Sequence, residues 1–124
     1  MKEALVQKAV LDYLRVKGYF AVRLNNIPTP LPNGGFRPVA MKGLPDAHVD
    51  IVVRGLPISV WVEFKSPTGR LSSHQKDVQN FVSLYGGFYC IVRSIDDMER
   101  IIKEVTNEVL DRLTSMTFSG ETDE

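Results

Sequence analysis

Sulfur chemistry is almost missing from this chain: of 124 residues only Cys90 is a cysteine, and it has no partner. A disulfide framework is therefore excluded, and a reducing compartment is expected, the cytoplasm of a bacterium or of a virus's host. No apolar run is long enough to span a bilayer. The opening residues, Met1-Lys2-Glu3-Ala4, begin a helical pattern and lack the features of a signal peptide. Net charge is also absent, at +0, but the zero conceals an asymmetry. Residues 1–94 hold 12 Lys/Arg against 6 Asp/Glu, and residues 95–124 hold 3 against 9. A basic body followed by an acidic end suggests a polyanionic partner for the body.

What remains is ordinary for one globular domain. An apolar fraction of 44% suffices for a single core, and the length leaves no room for a second. Residues 2–17 carry apolar side chains at helical spacing, closed by Gly18. Residues 19–24 read as a strand. Residues 25–42 are irregular, with Pro28, Pro30, Pro32 and an Asn33-Gly34-Gly35 turn, and residues 36–41 are a candidate edge strand. Residues 48–54 and 58–65 read as antiparallel strands joined by a turn at Gly55-Leu56-Pro57. Ser72-x-x-Gln75 opens a helix to residue 85 as a capping box. Residues 88–93 form a buried strand, and Ser94 caps a last helix. The expected architecture is α/β, a mixed sheet flanked by helices, with the strands before and after the second helix parallel. The domain is expected to occupy residues 1–114, with 115–124 as a flexible polar tail.

The chemistry concentrates in Gly43-Leu44-Pro45-Asp46 and Glu63-Phe64-Lys65. Alternation puts Glu63 and Lys65 on one face of their strand. Antiparallel pairing brings the start of one strand beside the end of the other, so Asp46 approaches both. Two carboxylates and a lysine suit a hard divalent cation beside a phosphodiester. Mg²⁺ or Mn²⁺ fits, with Asp46, Glu63 and the backbone carbonyl of Phe64 as oxygen ligands. Histidine and cysteine are missing from the group, which argues against zinc. The competing reading is a strand-end salt bridge. Arg70, His74 and Lys76 cluster at the start of the second helix, and Arg37 and Lys42 flank the irregular stretch; these are candidate phosphate contacts or a solvated basic rim.

These motifs, with Gln75 following the lysine, resemble the PD-(D/E)xK nuclease superfamily and within it the virus-type replication-repair nuclease (VRR-NUC) family. The likeness runs from Glu3 to about Val105. It implies a restriction-endonuclease-like αβββαβ core with an extra C-terminal helix. It further implies metal ligation by Asp46 and Glu63, catalysis by Lys65 and Gln75, and Glu3 as an additional acid near the metal. The implied activity is Mg²⁺-dependent, structure-selective cleavage of branched DNA such as Holliday junctions, in replication, repair or recombination, by a homodimer. Val105, Val109, Leu110 and Leu113 on the last helix are candidates for the dimer contact. The rival is a non-catalytic DNA-binding module that keeps the nuclease fold.

Overall fold

A computed structural model describes residues 2–24, 29–37 and 42–122. Three helices, α1 (Glu3–Val16), α2 (Ser73–Leu84) and α3 (Ile95–Thr122), flank a four-stranded mixed sheet. The sheet contains β1 (Phe20–Arg23), β4 (Ala47–Val53), β5 (Leu56–Phe64) and β6 (Phe88–Val92) in the order β1-β4-β5-β6. The first three strands are antiparallel neighbours. β6 lies parallel to β5, reached through α2, as the intervening helix predicts. Among the described residues no helix is long and apolar enough to cross a membrane.

One face of the sheet forms the core. Alternate residues Ala47, Val49, Ile51 and Val53 of β4, and Val60, Val62 and Phe64 of β5, are buried there. α1 contributes Val6, Val10, Leu11 and Leu14, and α3 contributes Met98, Ile101, Val105 and Val109. Leu110 and Leu113 pack against the same cluster. The α3 residues offered to a second copy thus pack within the chain's own core, which removes that argument for a dimer.

The structure corrects three readings of local form. The β4–β5 turn is Arg54-Gly55, not residues 55–57: both have positive φ, 51° and 78°, and Val53 pairs directly with Leu56. This is the conformation of a two-residue turn whose twist matches the strands it joins. The irregular stretch contains a separate ribbon, β2 (Thr29–Pro30) against β3 (Phe36–Arg37), so residues 36–37 do not edge the main sheet. Residues 38–41 of the expected edge strand lie outside the described residues. Finally, α3 continues past residue 114 to Thr122, where a polar tail was expected.

Candidate metal centre

Four segments meet at the end of the sheet where β4 begins and β5 finishes. Asp46 is held from two sides. Its backbone carbonyl accepts from Leu24 N–H at 2.7 Å, and its Oδ2 accepts from Phe64 N–H at 2.9 Å. The buried Pro45 precedes it. Within a strand the N–H and C=O of one residue point to the same side. The Phe64 carbonyl therefore faces the Asp46 side, while Lys65 N–H turns away to the Val92 carbonyl at 3.1 Å.

Glu63 is the surprise of the site. It is 1% exposed, although it lies next to the end of its strand. Its Oε1 accepts from Gln75 Nε2 at 2.8 Å and lies 3.8 Å from Lys65 Nζ. Its Oε2 is buried with no hydrogen-bond partner. Burial above all, then the neighbouring Asp46 carboxylate, push the Glu63 carboxyl up to about 8; Lys65 opposes this and Glu3 adds to it. Glu3, in the first turn of α1, brings a third carboxylate: ligand oxygens of Glu3, Asp46 and Glu63 all lie within 4.8 Å of one another.

A structural salt bridge explains this poorly, because three acids meet a single lysine and one buried oxygen is left unpaired. A hard divalent cation fits the set: the donors are all oxygen, their charge is in excess, and the orphaned Oε2 has a place to bond. Glu3 reaches solvent, and a groove of about 840 Å³ lined by Lys2, Glu3, Leu5 and residues 66–68 opens beside it.

Gln75 caps α2 and also reaches Glu63. Ser72 Oγ accepts from Gln75 N–H at 3.2 Å, and Gln75 Oε1 accepts from Ser72 N–H at 2.8 Å, completing the capping box. The amide Nε2 remains free to hold Glu63. Gly43 seats this helix start. Its φ is +82°, and a Cβ there would overlap the His74 carbonyl and approach Gln75 N. Gly43→Ala should therefore push the start of α2 away from Glu63. It should cost about 1–3 kcal/mol from the backbone conformation alone, read as a lower melting temperature with weakened metal affinity. Unchanged metal affinity would show that the Gln75–Glu63 contact tolerates the shift.

Of the expected phosphate contacts, Arg70, His74 and Lys76 are exposed around the α2 start, and Lys42 is exposed next to Gly43, which touches His74. Among the described residues Lys42, Arg70 and Lys76 have no ion-pair partner. The side chain of Arg37 lies outside the described residues. Asp50 is not part of the site; it lies 3.1 Å from His48, which stacks on Trp61.

Two residues escaped the sequence reading. Tyr89 pairs in register with Trp61, two residues before Glu63. Its hydroxyl is buried without a partner, and burial, then Glu63 and Asp46, push its ionisation upward. Arg93 donates from Nη1 to the carbonyls of Ser66 and Gly69 at 2.6 and 2.7 Å. That clamps the loop whose Gly69 lies against the Lys65 stem. Both depend on the parallel β5–β6 register, which no local motif announces. Comparison with protein-family models, curated proteins and solved structures finds no match for this chain.

Proposed function

We propose that the chain is a divalent-cation-dependent DNA endonuclease of the PD-(D/E)xK type, acting on branched DNA. The observation that carries the reading is the convergence of Glu3, Asp46 and Glu63 within 4.8 Å, beside a buried lysine and with one glutamate oxygen unpaired. The resemblance in sequence to the VRR-NUC family adds the substrate class, and Mg²⁺ or Mn²⁺ is the cation its oxygen donors suit.

When bound, the cation would supply Lewis acidity toward water and phosphate oxygens. The reaction is hydrolysis: a water oxygen bonds to phosphorus, the bond to the leaving sugar oxygen breaks, and that oxygen takes up a proton. Asp46 and Glu63 would hold the cation, with Glu3 and the Phe64 carbonyl completing the oxygen set. Lys65, fixed 3.8 Å from Glu63, would orient the attacking water or neutralise charge on the phosphate. Gln75 keeps Glu63 in its ligating rotamer. Lys42, Arg70, His74 and Lys76 would hold the flanking backbone without reading sequence. Assembly as a homodimer rests on the resemblance alone.

The test is a panel of flaps, forks, splayed arms and four-way junctions incubated with Mg²⁺ or Mn²⁺. Cation-dependent cutting of at least one branched substrate in preference to the matching linear duplex is expected. Intact substrates with both cations would favour the binding-module reading instead.

A further inference from the structure

A second cationic surface leaves the acid cluster on the side opposite the α2 rim. It is a groove of about 380 Å³ between α1 and the end of β1, lined by Ala4, Gln7, Lys8, Asp12, Arg15 and Arg23 among others. The α1 positions 4, 8, 11 and 15 lie along one face of the helix and begin beside Glu3. Arg23 stands opposite Ala47, the neighbour of Asp46, and the next residue, Leu24, donates to the Asp46 carbonyl. The acids do not line the groove, but its Ala4 follows Glu3 and its Arg23 lies across from the residue after Asp46, so one end of it is the end nearer the acids.

Its charge is not neutralised internally. Asp12 pairs with Lys8 at 2.7 Å, leaving two arginines. The Arg23 side chain has no ion pair or hydrogen bond among the described residues. Arg15 makes one contact, from Nη2 to the Ala21 carbonyl at 3.5 Å, so most of its donors stay free. That contact also places the Arg15 guanidinium beside Ala21, two residues back along β1 from Arg23. Two strand residues span about 7 Å, against a rise of about 3.4 Å per nucleotide on one strand of a duplex. Arg15 and Arg23 thus offer two guanidiniums to one groove. From Glu3 to Arg15 α1 rises about 18 Å, the length of about five nucleotides.

We propose that this groove holds the sugar–phosphate backbone of the strand being cut, Arg23 on a phosphate nearer the scissile one and Arg15 on one further along. The site rests on the nuclease reading and gives its substrate a direction: the strand runs from the acids along α1 toward Arg15. A guanidinium grips phosphate through paired N–H donors and recognises no base, so the contact is independent of sequence.

The experiment is binding of a fluorescent four-way junction to the full chain in Ca²⁺ by anisotropy, across a series of salt concentrations. Each phosphate contact on duplex DNA contributes about −0.9 to the slope of log K against log salt. Arg15→Gln/Arg23→Gln should flatten the slope by about 2. Arg23→Gln alone, at an exposed side chain without partners, should flatten it by about 1, and Arg23→Lys should restore it. Lys103→Gln, on the exposed face of α3, should leave it unchanged. Variants with the wild-type slope, in a protein that binds and cuts DNA, would overturn the groove and leave the nuclease standing. A wild-type chain that binds no junction at low salt would overturn both.

Discussion

Asp46→Asn and Lys65→Ala should each reduce cation-dependent cutting by about 10²–10⁴-fold, the range seen when one group that stabilises transition-state charge is removed. The two should differ in cause. Asp46→Asn removes one of three carboxylates crowded within 4.8 Å. It keeps the hydrogen bond from Phe64 N–H if the amide oxygen takes the place of Oδ2. Cation affinity should fall, and raised Mn²⁺ should recover part of the rate. Lys65→Ala leaves all three acids in place, so the cation should still bind and added cation should not rescue cutting. Lys65 is also the one neighbour that holds the Glu63 carboxyl down. Without it the rising limb of the pH–rate profile should move to higher pH. The measurement is single-turnover cleavage against Mn²⁺ and pH. Wild-type rates in either variant would remove that residue from the site.

Glu63→Gln should make the metal-free protein more stable while abolishing its response to cation. Glu63 is 1% exposed, faces Asp46, and has a carboxyl pushed up to about 8 from an ordinary 4.5. The direction follows from proton linkage. Below about 4.5 the side chain is protonated both folded and unfolded, and Glu and Gln are nearly equivalent. Between 4.5 and 8 the unfolded chain gives up the proton and the folded chain keeps it, so wild-type stability falls as pH rises. Above 8 the folded protein holds a buried carboxylate against Asp46. The amide still accepts from Gln75 and can donate to Asp46, so the variant avoids that cost. The stability difference should open through this interval to several kcal/mol, roughly 10 °C in melting temperature at pH 8.5. Mn²⁺ should raise the melting temperature of the wild type and not of the variant. A variant equal to or less stable than wild type at pH 8.5 without metal would show that Glu63 is a satisfied structural residue. Stability given up to keep charge at one place marks a functional site.

The meeting of Asp46 with Glu63 was legible because two local rules suffice for it: alternation along β5, and antiparallel pairing across a short turn. The parallel return of β6 was legible from the helix that precedes it. What escaped reading depends on neighbours distant in sequence. Glu63 is buried beside β6, its neighbour in the sheet, and under the Gln75 contact from α2, both of which come from distant sequence. Pro57 looked like a turn residue because it comes two residues after Gly55, yet it lies inside β5. The strand tolerates it because β6 pairs with β5 only from Val60 onward, so Pro57 lies where that edge is open. The apolar residues of α3 looked surplus until the sheet face they cover was known. Residues 115–122 are mostly polar or small, but a helix already formed extends at small cost, and Thr114 bonds back to the Leu110 carbonyl at 2.9 Å.

The most direct measurement is calorimetric titration of the metal-free chain with Mn²⁺ at pH 7, repeated in buffers of different ionisation heat. A proton resides on Glu63 at that pH, and cation binding must displace it. The account predicts saturable binding with release of close to one proton, lost in Asp46→Asn and Glu63→Gln. Absence of binding at millimolar Mn²⁺, or binding that survives both substitutions, would contradict it.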